Sequence, residues 1–143
     1  MAFEESSLTV GQRAAERRLT WLLRLAAGLL MLAGPFAFLP HGWMSAVHEQ
    51  FGLGPLPELP IIGYLTRSVS ALYAFYGVIT LWISRDVRRY GPLIDLLGLG
   101  NVLFGGFMLL LDRVVTMPRF WILIEGPFII AFGSAILLLR RRM

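Results

Sequence analysis

The stretch PLIDLLGLGNVLFGGFMLLL, residues Pro92–Leu111, decides the fold class of this chain. Only Asp95 carries a charge within it. A helix of about 20 mostly apolar residues crosses a bilayer core of roughly 30 Å. The stretch also lacks the strict alternation of apolar and polar residues that a membrane barrel strand shows. It therefore predicts a membrane-spanning helix.

Three more stretches of similar length and character predict three more spans. Short connections favour antiparallel neighbours, so the predicted fold is all-α, an integral membrane four-helix bundle. Residues 19–139 form one four-span domain in this interpretation, preceded by a cytoplasmic tail over 1–18 and followed by a basic tail over 140–143. The other three predicted spans are Leu19–Leu39, Ile61–Ile83 and Phe120–Leu139.

The composition agrees with a membrane protein and excludes several kinds of chemistry. Hydrophobic residues make up 57% of the 143 residues and charged residues 15%, whereas soluble domains carry about 25% charged residues. A soluble chain of this length would not hide so much apolar surface. The absence of cysteine excludes disulfides, thiol catalysis and thiolate-bound metals, and the absence of lysine excludes a Schiff base.

The arginines predict the orientation of the chain. Nine lie on one side of the predicted bilayer and two on the other, and basic residues are enriched on the cytoplasmic side. We therefore expect a multi-pass protein of the cell inner membrane, with an uncleaved first span and both termini in the cytoplasm. The net charge of +4 then reflects topology and anionic lipid, and no nucleic-acid partner is expected. The cytoplasmic set is Arg13, Arg17, Arg18, Arg85, Arg88, Arg89, Arg140, Arg141 and Arg142; the outer pair is Arg113 and Arg119.

The outer loop over residues 40–60 is the only sizeable segment outside the spans. Pro40 is expected to end the first helix, and His41–Phe51 carries apolar residues at helical spacing. This predicts a short helix in the membrane interface. The glycines and prolines of residues 52–60 predict an extended return to the second span.

The N-terminal segment predicts where the first helix begins. Thr9 and Gln12 have the spacing of a capping box, which places the helix start near Val10. The preceding segment, Met1–Ser7, is predicted to be disordered.

Ionisable residues inside the spans are the main candidates for a site, because a buried charge is costly and normally has a partner. Counting residues along the helices brings Arg67 and Glu125 to a similar depth near the outer surface, with Asp112 just above them. Ser70 and Tyr73 are expected to add hydrogen bonds. These five residues form the predicted outer polar cluster.

A second pair is predicted near the cytoplasmic side. Arg24 and Asp95 lie at similar depths in the first and third spans, with Arg88 or Arg89 competing for Asp95. On the third span, Asp95 shares one face with small residues that let helices approach closely. The remaining members of that face are Gly98, Asn101, Gly105 and Asp112.

Both sets of charges have two interpretations. In the first, the ion pairs hold the helices in register and have no chemical role. In the second, they line a proton or substrate pathway, or a polar pocket that is open to the outer face.

The histidines supply a weaker candidate for a metal site. His41 and His48 are separated by about two helical turns, with Glu49 beside the second. A metal would need a third ligand such as Glu58 or Asp112, so solvated histidines are the simpler interpretation. No cofactor is predicted.

Several loose motifs resemble the DoxX-like group of small bacterial membrane proteins. They are a Gly28-x5-Gly34-Pro35 pattern, a Thr66-Arg67-Ser68-x4-Tyr73-x3-Gly77 pattern and a glycine-rich third span with Gly98, Gly100, Gly105 and Gly106. The resemblance covers residues 19–139 and implies a four-span protein of uncharacterised role. Some members are associated with thiosulfate:quinone oxidoreduction or redox-stress complexes, and in this cysteine-free chain any thiol would have to come from a partner.

The sequence therefore favours a non-catalytic bundle that assembles with itself or with a partner membrane subunit. The alternative is a transporter of small molecules or ions, or a redox subunit with a quinone or anion pocket near the outer face. An enzyme ranks third, because no nucleophile–base pair stands out.

Overall fold

The computed structural model describes residues 9–143, and within that range the chain is all-helical. The predicted disorder of Met1–Ser7 lies outside the described residues. Five α-helices follow one another along residues 9–143. They are α1 (Val10–Met31), α2 (His41–Gln50), α3 (Pro60–Ile83), α4 (Gly91–Val114) and α5 (Arg119–Arg140), with a 3₁₀ turn at Gly34–Ala37.

Three segments are long and apolar enough to cross a membrane: Val10–Ala37, α4 and α5. The helix α3 has 24 residues, the same length as α4, but it is not among these three segments. Arg67 and several serine, threonine and tyrosine residues lie along it. The structure thus supports a multi-pass membrane protein with three apolar helices.

The helix boundaries follow from local chemistry. Thr9 Oγ1 accepts a hydrogen bond from the Gln12 amide at 3.2 Å, and the Thr9 amide donates to Gln12 Oε1 at 3.0 Å. This reciprocal pair is the predicted capping box, and α1 begins at Val10 as expected. The α-helix ends at Met31, short of the predicted Leu39, because Pro35 has no amide hydrogen to donate to the Met31 carbonyl and so cannot continue the α-helix. The predicted short helix after Pro40 is confirmed as α2, and its place in a membrane interface stays a prediction.

The chain divides into two compact units. The first unit contains residues 9–22 and Ile83–Met143, and the second contains Leu23–Trp82. Leu19, Ile94 and Ile136 are fully buried in the first unit, while Leu23 and Ala27 are fully buried in the second.

In the first unit, α4 and α5 form an antiparallel hairpin that is joined by glycines. A Cβ atom added at Gly105 would lie 2.8 Å from the Gly126 carbonyl oxygen, and one added at Gly133 would lie 2.5 Å from the Gly98 carbonyl oxygen. Real Cβ atoms do not approach backbone so closely, so both helices need glycine where they meet. Such contact between small residues is the usual way for membrane helices to pack.

The glycines of the hairpin repeat every seven residues on both helices. Gly91, Gly98, Gly105 and Asp112 mark the repeat on α4, and Arg119, Gly126, Gly133 and Arg140 mark it on α5. Gly98 meets Gly133, Gly105 meets Gly126, and Gly91 meets the Arg140 guanidinium. A seven-residue repeat keeps the same faces of two helices in contact along their length. We call this contact line the glycine seam.

The turn after α4 closes the hairpin. Thr116 has a positive φ of 55°, and the Met117 amide donates to the Asp112 carbonyl at 2.9 Å. This is the hydrogen-bond pattern of a helix end that usually has glycine at the left-handed position.

In the second unit, the last turns of α1 pack against α3. A Cβ atom at Gly77 would lie 2.9 Å from the Ala27 carbonyl oxygen, so this position also requires glycine for close approach. Apolar side chains along α3 are exposed: Leu65, Val69 and Leu72 are between 45% and 63% accessible.

Candidate functional site

One end of the glycine seam carries a two-bonded ion pair. Arg140 Nε and Nη2 donate to the two carboxylate oxygens of Asp95 at 3.1 and 3.2 Å. Gly91 makes room for the guanidinium, because a Cβ there would collide with it. The ion pair joins the start of α4 to the end of α5.

This pairing differs from the one predicted for Asp95. The predicted partner of Asp95 was Arg24, with Arg88 or Arg89 as competitors. In the structure Asp95 pairs with Arg140. Arg24 lies exposed on α1, and Arg88 is paired with Glu16. Position counting missed Arg140 because that residue was assigned to a cytoplasmic tail, although the helix continues through it. The seven-residue repeat, which ends on Arg140, was the signal that would have found it.

The other end of the seam carries two acids. Asp112 is only 2% exposed, and its Oδ2 atom has no hydrogen-bond partner among the described residues. Glu125 lies within electrostatic range of Asp112, and its Oε2 accepts a hydrogen bond from Trp121 Nε1 at 2.6 Å. In the described part of the first unit, neither acid forms an ion pair.

The predicted outer cluster is therefore distributed over both units. Asp112 and Glu125 belong to the first unit, whereas Arg67, Ser70 and Tyr73 belong to the second. Tyr73 is 40% exposed, and its expected hydrogen bond within the cluster stays a prediction. The ion pair of Arg67 with either acid stays a prediction.

Arg67 occupies an open cleft in the second unit. Its Nη1 donates to the Gly63 carbonyl at 3.2 Å and its Nη2 to the Leu39 carbonyl at 3.1 Å. No carboxylate of residues 23–82 pairs with it, although Glu58 also lines the cleft. The cleft has a volume of about 520 Å³, a size that is common for small-molecule sites. The remaining lining residues are His41, Leu59, Pro60, Gly63 and Tyr64.

The two histidines hold the loop between α2 and α3. His41 Nε2 donates to the Leu56 carbonyl at 3.0 Å, and His48 Nδ1 donates to the Gly54 carbonyl at 2.7 Å. The carbonyl partners assign the donor nitrogen of each ring. Glu49 instead accepts from Ser45 Oγ at 3.0 Å.

This arrangement does not gather the proposed metal ligands. Across residues 9–143, no three histidine, cysteine, aspartate or glutamate side chains come together in a way that would hold a metal ion. The histidines are bonded to backbone carbonyls, so their observed role is to fix the loop.

Two contacts connect three arginine-bearing segments at one end of the first unit, namely the start of α1, the segment after α3 and the segment after α5. Arg88 Nη2 lies 2.6 Å from Glu16 Oε2, which joins the segment after α3 to α1. Gln12 Nε2 donates to the Met143 carbonyl at 2.9 Å, which joins the end of the chain to α1. We call this the basic end. Position counting placed these arginines on one side of a membrane but did not identify the contacts.

The geometry favours binding over covalent chemistry at each place described. The basic end and the Arg67 cleft present guanidinium groups, which recognise anions through paired hydrogen bonds. No family model, curated protein or solved structure matches this chain.

Proposed function

We propose that this chain is a small integral protein of a bacterial inner membrane, with four spans and both termini in the cytoplasm. In this proposal α3 is the fourth span. The support is its length of 24 residues and its row of exposed apolar side chains. Such side chains are more stable in contact with lipid than in contact with water. The nine arginines on the proposed cytoplasmic side support the orientation.

The role we propose is that of a non-catalytic bundle or accessory subunit, which assembles with itself or with a partner membrane subunit. One observation carries this proposal: the charges of the first unit join segments that are distant in sequence. Glu16 pairs with Arg88 and Asp95 with Arg140. Charges that are used in this way stabilise a helix arrangement and leave the outer apolar surface to lipid or to another subunit.

The topology is tested with reporters fused to the C-terminus. A reporter that works only in the cytoplasm should be active, and one that works only outside should be silent. The protein should also stay in the membrane fraction after alkaline carbonate extraction. An active external reporter would contradict the orientation, and release by carbonate would contradict membrane insertion.

The assembly role is tested by native mass spectrometry of the full chain in lipid nanodiscs. We expect complexes that contain more than one 16.1-kDa copy, or one copy with a partner subunit at fixed stoichiometry. A strictly monomeric chain with a stoichiometric small molecule would contradict this role and favour the second candidate.

The second candidate function is binding or transport of a small anion or quinone at the Arg67 cleft. The observation that favours it is the Arg67 guanidinium, which bonds two carbonyls but no carboxylate of its own unit. Inorganic phosphate and a short-chain quinone are suitable probes in calorimetric titrations. Binding that is lost in Arg67→Gln and kept in Arg24→Gln, which also removes one arginine charge from an apolar helix, would support this function. Equal binding by both variants would contradict it.

The resemblance to the DoxX-like group belongs to this proposal as well. It rests on the glycine spacing and on the segment around Arg67, and it agrees with a small multi-span protein. A link to quinone or thiosulfate chemistry would then depend on a partner, because this chain has no thiol. Purification with a redox enzyme of that kind would support the relationship.

A further inference from the structure

A cleft at the basic end combines the features of an anion site and of a lipid site. It has a volume of about 470 Å³ and is formed entirely by the first unit. Arg18 of α1 and Arg142, which follows α5, contribute to its lining. The other lining residues are Thr9, Gly11, Gln12, Ala14, Ala15 and Leu139.

The two arginines of this cleft are available for a ligand. Among the described residues, neither Arg18 nor Arg142 forms an ion pair, and both are exposed. Glu16, the nearest acid along α1, is occupied by two hydrogen bonds from Arg88 at 2.6 and 3.1 Å. Among residues 9–143, no acidic side chain is thus paired with the two arginines of the cleft.

The backbone adds to the positive potential. Gly11 and Gln12 belong to the first turn of α1, where amide groups point out of the helix and carry partial positive charge. The Thr9 side chain occupies the Gln12 amide. Gln12 also holds the Met143 carbonyl, which fixes the segment that carries Arg142 beside α1.

Part of the lining of the cleft is apolar. Ala14, Ala15 and Leu139 contribute no hydrogen-bonding side chain, and Ala15 is 5% exposed. A free phosphate ion would gain nothing from such a surface. A phospholipid would place its phosphate between the arginines and its glycerol and first acyl carbons against the alanines and the leucine. Basic pockets beside cytoplasmic helix ends commonly bind anionic headgroups.

We propose that the cleft between Arg18 and Arg142 is a specific binding site for the phosphate of an anionic phospholipid. Arginine suits this ligand because its planar group donates paired hydrogen bonds to phosphate oxygens. This inference rests on the proposed function in one respect, namely that the basic end lies at the cytoplasmic membrane surface. It adds a ligand, a location and two binding residues.

The test compares two double variants of the full chain that lose the same charge. Arg18→Gln with Arg142→Gln removes the cleft arginines, and Arg17→Gln with Arg141→Gln removes their exposed sequence neighbours, which do not line the cleft. Native mass spectrometry from nanodiscs that contain phosphatidylglycerol and phosphatidylcholine gives the occupancy of each lipid. A hydrogen bond to a charged group contributes about tenfold or more to binding, so we expect roughly 100-fold weaker phosphatidylglycerol binding when both cleft arginines are removed. The neighbour variant should lose much less, because its arginines contribute only the diffuse attraction of basic residues to an anionic surface.

Several outcomes would overturn the proposal. Equal losses in both double variants would show a diffuse electrostatic attraction without a site. Retention of the lipid by the cleft variant, or equal retention of phosphatidylcholine by the wild type, would exclude anionic recognition there. Displacement of the lipid by millimolar inorganic phosphate would assign the cleft to a soluble anion. Carbonate extraction of every variant separates these outcomes from a failure of membrane insertion, which would contradict the proposed function itself.

Discussion

The acidic residues at the two ends of the glycine seam differ in exposure and in pairing. At one end Asp95 is held by Arg140 through two hydrogen bonds, and its side chain is 48% exposed. At the other end Asp112 is 2% exposed and has an oxygen without a described partner. The more exposed acid therefore has the counter-ion, and the buried acid has none within its own unit.

The difference arises from the residue of α4 that lies opposite the arginine at each end of the repeat. Arg140 packs over Gly91, whose missing side chain lets the guanidinium reach Asp95 one turn further along α4. At the opposite end the repeat brings Arg119 to the level of Asp112, where an acid takes the place of the glycine. Arg119 is exposed, and no ion pair forms between the two. A seam of small residues thus determines which arginine can fold back onto the hairpin.

The largest expected effect comes from filling the seam that connects the two ends. In Gly105→Ala the new methyl would lie 2.8 Å from the Gly126 carbonyl and 2.9 Å from the Ile130 amide nitrogen. Both are backbone atoms, so the helices would have to separate, and we expect a loss of about 2 kcal/mol in the free energy of unfolding. Denaturant unfolding in detergent micelles, followed by circular dichroism, measures this loss.

The adjacent glycine provides the control for that experiment. A Cβ atom at Gly106 meets nothing within 4 Å, so Gly106→Ala should be neutral or should stabilise the helix by up to about 1 kcal/mol. Similar losses in both variants would contradict the seam and would indicate a general intolerance of α4 to alanine.

Much of the fold follows from the sequence, because hydropathy and capping depend on nearby residues. The capping box and the short helix α2 were both predicted from spacing. Partner choice depends on which helix faces pack, and a count of depth does not contain this information. That count matched Asp95 with Arg24 and not with Arg140, because any arginine at the right level satisfies it.

The candidate sites show the same limit. Charge counting predicted the cytoplasmic arginines as a set, but the cleft at Arg18 and Arg142 depends on the bond between Gln12 and Met143. The Arg67 cleft depends in a similar way on the Leu39 carbonyl. Backbone carbonyls have no sequence signature, so the partners that they provide become visible only in the structure.

The second largest effect is expected at the end of the seam that carries the ion pair between Asp95 and Arg140. Arg140→Gln removes the charge on Asp95's partner, and we expect a loss of about 1 kcal/mol, the upper range for ion pairs that are partly exposed. Arg141→Gln is the matched control, because Arg141 is exposed and forms no ion pair among the described residues. A double-mutant cycle with Asp95→Asn should give a coupling energy of similar size. Strictly additive losses would show that the two side chains contribute independently.

A smaller effect is expected from the hydrogen bond at the acidic end. Trp121→Phe keeps an aromatic ring but removes the donor to Glu125, which is 2.6 Å away. Side-chain hydrogen bonds inside membrane proteins contribute about 0.6 kcal/mol on average, so we expect a loss of that order. Trp43→Phe, at a position 69% exposed, should change the stability less. Thermal unfolding of both variants in the same detergent gives the comparison.

The smallest effect, and the most informative one, is expected at Asp112. Asp112→Asn keeps the shape of the side chain and removes its capacity for negative charge. Asp112 has no cationic partner among the described residues of its own unit, and its buried Oδ2 accepts no hydrogen bond. The charge therefore adds little to stability, so the free energy of unfolding should change by less than about 0.5 kcal/mol or should rise. Asp95→Asn should cost more, because Asp95 has a cation to lose. If Asp112→Asn instead costs more than Asp95→Asn, then Asp112 has a cationic partner in the folded protein. Arg67, the predicted partner, would be the first residue to test, and a cycle between Arg67→Gln and Asp112→Asn would measure the coupling directly.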